Sequence, residues 1–199
     1  MTATPRARTA RLDVLVEGYA RPGDDGTLRV AGTVSLVRDE DRVIVVDPGM
    51  VAGRDLILDG LAGLGVAPDD VTDVVLSHHH PDHVLNVALF PVVPGHDMQA
   101  VYEGDRWTRR GADGVELTAS VVLLATPGHT PQDVTTLVGT ADGVVALTHL
   151  WWTDEGPAED PYAPDREVLR ASRARVLEVA DRIVPGHGAP FVPGTRTPR

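Results

Sequence analysis

The most informative part of this 199-residue chain is the stretch Ser77-His78-His79-His80-Pro81-Asp82-His83. It has the spacing His-x-His-x-Asp-His, and residue frequencies predict such a match by chance in about one of a thousand comparable sequences. The apolar run Val71 to Leu76 before it predicts a buried strand, and His83 to Leu89 predicts a short helix. The cluster is therefore expected at the carboxyl end of a strand, where α/β sheets place their ligand crevices. The alternative is a histidine-rich turn on the surface.

Two further histidines lie in similar positions. His129 follows the apolar run Val121 to Ala125, His187 follows Ile183-Val184, and each is directly preceded by Pro-Gly. Imidazole is a dominant ligand for zinc and iron. A single histidine in a loop is usually solvated, but two such turns in a chain that already has a ligand cluster predict that His129 and His187 also bind metal.

The rest of the pattern predicts a layered α/β fold, because short β-branched runs alternate with helical stretches. The helix candidates are Arg54 to Leu64, which has apolar residues at helical spacing, and Asp165 to Ala180, with Asp165 as its N-cap. The segment Pro94 to Gly114 is predicted to be an irregular loop. The other predicted strands are Leu12 to Tyr19, Leu28 to Val37, Arg42 to Val46, Val115 to Ala125, Val134 to Val138 and Val144 to Leu147.

Composition excludes several kinds of chemistry. All 18 basic residues are arginine, and the sequence contains no cysteine. Without lysine there is no Schiff base and no Walker-type phosphate loop; without cysteine there is no thiol nucleophile, disulfide or cysteine-ligated zinc. The 29 acidic residues bring the net charge to −11, which repels the phosphate backbone of nucleic acids. Nucleic acid is therefore a disfavoured partner.

The length predicts a single domain over residues 11–193, with flexible tails at residues 1–10 and 194–199. The first ten residues contain no apolar run of the kind found in signal peptides, and no stretch has the length of a membrane span. These observations predict a cytoplasmic protein without a membrane partner.

The motifs together resemble those of the metallo-β-lactamase superfamily over about residues 12–192. His78-x-His80-x-Asp82-His83 matches its signature, and three further blocks match Asp47-Pro48-Gly49, Pro127-Gly128-His129-Thr130 and Pro185-Gly186-His187-Gly188. Within the superfamily the chain looks most like the metallo-β-lactamase domain-containing protein 1 group. The stretches that carry this likeness are Gly18-Tyr19-Ala20-Arg21, Gly65-Val66-Ala67-Pro68, Asp82-His83-x-x-Asn86 and Val184-Pro185-Gly186-His187-Gly188-x-Pro190-Phe191.

The resemblance implies an α/β fold, a four-layer αββα sandwich with two divalent metal ions at its upper edge. Zn²⁺ is the first expectation, with Fe or Mn as alternatives, and a solvent molecule that bridges the metals would be the nucleophile. Imidazoles and one carboxylate leave two divalent ions under-neutralised, so bound water loses a proton near neutral pH. By position, the ligands of the first metal would be His78, His80 and His129, and those of the second Asp82, His83 and His187.

One position departs from the superfamily pattern. Most of its hydrolases carry an aspartate that bridges both metals, whereas this chain has His149 at the end of the corresponding strand. A neutral imidazole has one free lone pair and cannot bridge as a carboxylate can. His149 is therefore predicted to be a terminal ligand or a partner of the bridging water, or to leave the site with one metal. We expect weak retention of the second metal, and catalytic roles for Asp82 and His149.

Four other residues are candidates around the metals. Asp47 and Thr130 are predicted to contact ligand imidazoles, although Asp47 could instead cap its own turn. Trp151 and Arg109 are candidates for substrate binding, the arginine because a guanidinium can hold a carboxylate. The alternatives are that the tryptophan packs in the core and that the arginine is solvated. Adjacent residues on a strand face opposite ways, so only one of Trp151 and Trp152 can face the crevice.

The predicted function is that of a metal-dependent hydrolase, which uses metal-activated water on a small ester, thioester or lactone. One alternative is an iron- or manganese-dependent redox or non-hydrolytic protein of the same fold. A phosphodiester (RNA) hydrolase is another, disfavoured by the negative charge. A zinc-stabilised interaction domain is the third, disfavoured because structural zinc sites are closed and usually tetrahedral.

Overall fold

The computed structural model describes residues 2–199, and Met1 lies outside the described residues. Among them are three α-helices and two short 3-10 helices, Pro68–Asp70 and Val87–Leu89. The α-helices are α1 Asp55–Gly63, α2 Pro81–Val84 and α3 Arg166–Leu177. The strands are β1 Arg11–Val16, β2 Tyr19–Pro22, β3 Leu28–Ala31, β4 Val34–Asp39, β5 Arg42–Val46, β6 Asp73–Val75, β7 Gly95–His96, β8 Ala100–Glu103, β9 Arg106–Arg109, β10 Val115–Thr118, β11 Val121–Ala125, β12 Val134–Thr140, β13 Gly143–Leu147 and β14 Arg182–Val184.

The strands form two large sheets and one hairpin. The first sheet has the order β1-β4-β5-β6-β7-β8-β9, and the second has the order β10-β11-β12-β13-β14. Most neighbours are antiparallel, but β5, β6 and β7 run parallel to one another, as do β13 and β14. The antiparallel hairpin of β2 and β3 stands apart from both sheets.

Three hydrophobic clusters define the layers of the fold. Residues from both sheets, such as Ile44 and Leu123, form one cluster between the sheets. Helix α1 packs Ile57 and Leu61 onto the outer face of the first sheet, and α3 packs Leu169 onto the outer face of the second. The architecture is a four-layer αββα sandwich, so the predicted fold class is confirmed.

Strand β11 shows why these strands are continuously apolar rather than alternating. Val121 and Leu123 face the cluster between the sheets, while Val122 and Leu124 face the cluster under α3. Both faces are buried because a sheet covers one and a helix covers the other. A run without a polar residue is the sequence pattern of such a strand.

Both long helices occur where the sequence predicts them. The segment Arg54 to Leu64 contains α1, and Asp165 to Ala180 contains α3. The side chain of Asp165 accepts hydrogen bonds from the backbone N–H groups of Glu167 and Val168, as an N-cap does. Local signals were sufficient here, because the cap and the apolar stripe lie within the helix itself.

Five predicted segments are wrong in detail. The single strand predicted over residues 115–125 is a hairpin of β10 and β11, and the helix predicted over residues 83–89 is divided between α2 and the 3-10 helix Val87–Leu89. The loop predicted over residues 94–114 contains β7, β8 and β9, which extend the first sheet. These strands have two to four residues and are partly exposed, so they carry no apolar run that the sequence could reveal. The single strands predicted over residues 12–19 and 28–37 are each divided in two. The chain leaves the sheet at Gly32 and Thr33, whose N–H groups bond to the carbonyls of Asp82 and Gly186 instead.

The two ends of the chain contact the domain. Thr9 donates a hydrogen bond of 2.7 Å to the carboxylate of Asp39, and the indole N–H of Trp151 donates to the carbonyl of Pro198 at 2.9 Å. The predicted boundaries at residues 11 and 193 therefore leave out segments that pack on the domain. The longest helix, α3, has 12 residues, and no helix of residues 2–199 could cross a membrane.

The sheet topology brings five strand ends to one edge of the sandwich. The chain leaves β5 at Asp47 and β6 at Ser77, both on the first sheet. It leaves β11, β13 and β14 in the turns that carry His129, His149 and His187. Since carboxyl ends of parallel strands meet at the same edge, residues far apart in sequence converge there.

We predict that Gly49→Ala displaces α2 and destabilises the fold. A Cβ at Gly49 would overlap the carbonyl of Asp82 and come within 2.5 Å of the Cα of His83, both backbone atoms. Overpacking of this kind costs about 1–3 kcal/mol in free energy of unfolding. The measurement is urea unfolding, with Gly53→Ala as control because a Cβ there meets no atom within 4 Å. Equal unfolding midpoints for the two variants would contradict the prediction.

Candidate metal centre

The structure brings all seven predicted metal ligands together at this edge. Two groups have ligand atoms that lie within 4.8 Å of one another, and His149 belongs to both. His80 lies beside the group that contains His78 and His129, with its Nδ1 3.0 Å from the Nε2 of His129. The first group consists of Asp82, His83, His149 and His187, and the second of His78, His129 and His149.

The nitrogens at the centre of the cluster fit a bound cation. His78 Nε2, His83 Nε2 and His149 Nδ1 are buried and have no hydrogen-bond partner. An unpaired buried polar atom costs about 1–3 kcal/mol, so three within one cluster indicate a missing interaction. Imidazole nitrogens with one carboxylate are the donor set of a divalent transition metal such as zinc or iron.

Hydrogen bonds at Nδ1 orient the imidazoles of His78 and His129, so that the Nε2 of each ring faces the centre of the histidine cluster. The hydroxyl of Ser77 donates its proton to Asp47 at 2.6 Å, so it accepts from the Nδ1–H of His78 at 3.0 Å. His129 donates from Nδ1 to the carboxylate of Asp160 at 2.8 Å. In both rings Nε2 therefore keeps a free lone pair, the form in which histidine binds metal.

The imidazoles of the other group are held in the same way. His83 donates from Nδ1 to Asp47 at 2.8 Å, and His187 donates from Nδ1 to the carbonyl of Ala31 at 3.0 Å. Asp82 lies 3.3 Å from the Nε2 of His83 and 3.5 Å from that of His187. Its carboxylate therefore faces the same point as their lone pairs.

Asp47 bonds directly to His83 of the first group and reaches His78 of the second through Ser77. One carboxylate oxygen accepts the backbone N–H of Ser77 at 2.6 Å, and the other accepts bonds from the Ser77 hydroxyl and from His83. Its backbone has a φ of 53°, which is uncommon outside glycine. Backbone strain of this kind is typical of positions that the surrounding contacts over-determine. The contacts agree with the ligand-orienting role predicted for Asp47.

The charge states suit metal ligands. Burial raises the pKa of Asp82, but the close contact with His83 and the charge of that ring outweigh it and lower the pKa to about 2. Burial lowers the pKa of His83, but Asp47 and Asp82 raise it to about 9. Without a metal the His83 ring therefore holds a proton, and a metal cation would take the place of that proton beside the same two carboxylates. Burial and neighbouring histidines keep the pKa values of His78 and His149 well below the usual range, so both rings are neutral.

The turn that carries His187 makes room for His149. A Cβ at Gly186 would overlap the imidazole of His149, so only glycine fits at that position. The Nε2 atoms of His149 and His187 lie 3.0 Å apart. The ring of His149 thus occupies the centre of the cluster, where the sequence pattern departs from that of most superfamily hydrolases.

Three predicted site residues lie elsewhere. Thr130 donates to Asp133 and caps its own turn, without contact to a ligand imidazole. Trp151 is fully buried in the core under α3, so it cannot bind substrate. Arg109 is exposed on β9, the last strand of the first sheet, and is not among the residues that line the cavity described next.

A cavity of about 250 Å³ opens directly onto the ligands. Larger surface clefts of about 450 Å³ lie elsewhere, away from the histidines. Trp152, the neighbour of Trp151, lines the cavity at the ligands, although the two residues lie in the loop after β13 and not on a strand. The complete lining is Ala20, Leu28, Val30, His80, Pro81, Asp82, His129, His149, Trp152, Tyr162 and His187.

Sequence reasoning missed Asp160 and Tyr162. Both lie in a segment that the sequence shows only as an acidic, proline-rich loop, 31 and 33 positions after His129. Asp160 bonds to His129, and Tyr162 stacks on Trp152 in the cavity wall. No local pattern distinguishes Asp160 from the other acids of that loop.

Two histidines lie outside the candidate metal centre. His79 faces away from the ligands and pairs with Asp97 at 3.0 Å, while His96 pairs with Asp73 at 2.9 Å.

Comparison with known proteins agrees with this geometry. A family model described as the metallo-beta-lactamase superfamily matches residues 28–97. The chain belongs to this superfamily and has the fold of its hydrolases. It is 35% identical over 195 residues to metallo-beta-lactamase domain-containing protein 1 of Xenopus laevis. The matched region covers 89% of this chain and 79% of that protein.

Solved structures show the same fold at lower identity. A metallo-beta-lactamase-type protein from Thermotoga maritima superposes with a TM-score of 0.73 and 21% identity, covering 94% of this chain and all of that one. A quorum-quenching N-acyl homoserine lactone lactonase superposes with a TM-score of 0.67 and 22% identity, covering 94% of each chain. At these identities the likeness establishes the fold.

We predict that Asp47→Ala weakens metal retention about 10- to 100-fold, because the substitution frees His83 and the Ser77–His78 pair from the carboxylate that orients them. The measurement is metal content during titration with a competing chelator. Asp13→Ala is the matched control, since it removes a carboxylate that pairs with Arg38 at the surface. Unchanged metal affinity in Asp47→Ala would assign the residue to capping its own turn.

Proposed function

We propose that this chain is a metal-dependent hydrolase that cleaves small carbonyl esters, thioesters or lactones. The observation that carries the proposal is the opening of the ligand cluster onto a cavity, because His80, His129, His149, His187 and Asp82 all line it. A structural zinc site is closed by its protein ligands, whereas a catalytic site keeps a position open toward substrate. The arrangement supports catalysis rather than a purely structural metal.

Two sets of residues would hold divalent ions. His78, His80 and His129 surround one position, and Asp82, His83 and His187 surround the other. Zinc is the ion that we propose, since imidazole and carboxylate are its usual ligands. An ion bound there would supply a water of lowered pKa and would polarise the substrate carbonyl.

Asp82 and His149 are proposed to act on the reacting groups. Asp82 stays ionised because its pKa is about 2, so it can accept a hydrogen bond from the attacking water and orient it. His149 is neutral and lies between the two groups of ligands. Its ring can hold one partner on each nitrogen, so it is a terminal ligand or a partner of that water, and not a carboxylate-like bridge.

The cavity favours a small uncharged substrate over a phosphodiester. Its volume of about 250 Å³ suits a small molecule, and the net charge of −11 opposes RNA. The lactonase of similar fold acts on a small carbonyl compound, which supports the same class here. The cytoplasmic location stays a prediction of the sequence.

The decisive experiment is elemental analysis of protein purified without added metal, followed by assays with ester, thioester, lactone and phosphodiester probes. We expect one to two equivalents of metal per chain and turnover of at least one carbonyl probe. His78→Ala should lose both metal and activity, because it removes a proposed ligand whose Nε2 is buried in the cluster without a hydrogen-bond partner. Protein without stoichiometric metal, or turnover of the phosphodiester alone, would overturn the proposal.

We predict that His149→Asp increases retention of the second metal. A carboxylate at this position adds a negative charge close to both ions, worth on the order of 4 kcal/mol per ion at an effective dielectric constant of 20 and a separation of 4 Å. The measurement is the number of metal equivalents left after dialysis against chelator. His79→Asn is the control, since His79 faces away and is 46% exposed. Equal stoichiometry in His149→Asp and the wild type would show that the imidazole does not limit metal binding.

A further inference from the structure

One wall of the cavity is built by the β2–β3 hairpin. Ala20 of β2 pairs with Val30 of β3, and Leu28 pairs with Pro22 near the turn. Ala20, Leu28 and Val30 line the cavity, while Arg29 pairs with Asp25 away from it, as the alternation of a strand requires. The hairpin therefore presents an apolar face to the metal ligands and a charged face to solvent. Leu28 is 62% exposed, an unusual state for a leucine at the mouth of a polar site.

The opposite wall is a stacked aromatic pair. The rings of Trp152 and Tyr162 lie 5.8 Å apart with an interplanar angle of 23°. Asp160 holds both residues, because it accepts the indole N–H of Trp152 at 3.0 Å and the backbone N–H of Tyr162 at 2.9 Å. The carboxylate that accepts these bonds is the one that orients the ligand His129. The position of the aromatic wall is thus fixed relative to the metal centre.

A buried arginine fixes the loop that carries this wall. Arg173 of α3 is fully buried and donates hydrogen bonds of 2.7–2.9 Å to the carbonyls of Leu150, Pro157 and Ala158. These three carbonyls lie on both sides of Trp152 in the chain. Binding between the two walls requires little further ordering of this loop, which favours affinity.

Apart from the metal ions proposed at its floor, the cavity offers no cation that could recognise an anionic group. Its lining has no arginine, and the chain has no lysine. The only carboxylate in the lining is Asp82, which is ionised and at the floor. A phosphate or carboxylate on the substrate would lie between apolar walls without a partner, which costs free energy.

We propose that the space between Leu28 of the hairpin and the Trp152–Tyr162 pair is a subsite for an uncharged apolar acyl group. It deepens the proposed function, on which it rests, by naming the substrate class: carbonyl compounds with a neutral aliphatic or aromatic acyl chain. Leu28, Trp152 and Tyr162 are then the residues that determine chain-length specificity. Each methylene buried between them should raise kcat/KM about fourfold, the fold-change that corresponds to about 0.8 kcal/mol.

The kinetic test uses the metal-loaded protein and the p-nitrophenyl esters of acetate, butyrate and hexanoate. We expect kcat/KM for hexanoate to exceed that for acetate on the order of 100-fold, and this ratio to fall roughly tenfold in Leu28→Ser and in Tyr162→Ala. Trp107→Ala is the matched control, because Trp107 is an exposed aromatic on β9 outside the cavity lining and should keep the wild-type ratio. An unchanged ratio in both Leu28→Ser and Tyr162→Ala would overturn the proposal.

A binding experiment separates the subsite from catalysis. The indole N–H signals of the three tryptophans are assigned by NMR and followed during titration with 1-hexanol, with sodium phosphate as the anionic probe. We expect saturable movement of the Trp152 signal with hexanol, weakened in Leu28→Ser, and no effect of Leu28→Ser on any movement that phosphate causes by binding at the metal ligands. Hexanol binding without hydrolysis of any ester, thioester or lactone probe would support the subsite and overturn the proposed function. A phosphate titration that Leu28→Ser weakens equally, or no movement of Trp152 with hexanol, would overturn the subsite.

Discussion

The site depends on the hydrogen bonds that the carboxylate of Asp47 accepts. This carboxylate ties the end of β5 to the end of β6 through Ser77 and to α2 through His83. Its three hydrogen bonds are short and buried, and through Ser77 they also orient His78. One carboxylate thus fixes candidate ligands of both groups, His83 directly and His78 through Ser77. A positive φ at Asp47 is tolerated because these contacts outweigh the backbone strain.

Close backbone packing holds the other components of the site around this carboxylate. Gly32 and Gly49 both approach the carbonyl of Asp82 so closely that neither position has room for a Cβ. Thr33 bonds through its backbone and its hydroxyl to the carbonyl of Gly186. The hairpin, α2 and the turn of His187 are therefore joined through backbone atoms, which are less mobile than side chains.

Asp160 has the corresponding role on the other side of the cavity. Its hydrogen bonds from His129 and Trp152 hold a ligand and an aromatic wall in one fixed relation. Those bonds lower its pKa although burial acts in the opposite direction, so the carboxylate stays ionised. Asp160 therefore supports both the candidate ligand His129 and the aromatic wall of the cavity.

The sequence by itself determined the fold class, both long helices and the histidines and aspartate that gather in the candidate metal centre. These features are local: the His-x-His-x-Asp-His spacing, the Pro-Gly-His turns and the cap at Asp165 are each complete within a few residues. Their convergence at one edge follows from a general rule of sheets, which holds for any chain of this class.

Only the tertiary structure decided which residues surround the ligands. It placed Trp152 rather than Trp151 at the cavity, brought Asp160 to His129, and assigned Thr130 to a turn. It also paired the short exposed strands β7, β8 and β9, whose stability comes from neighbours rather than from an apolar pattern. The physical reason is that these outcomes depend on contacts between segments distant in sequence, and residue spacing carries no information about the partner.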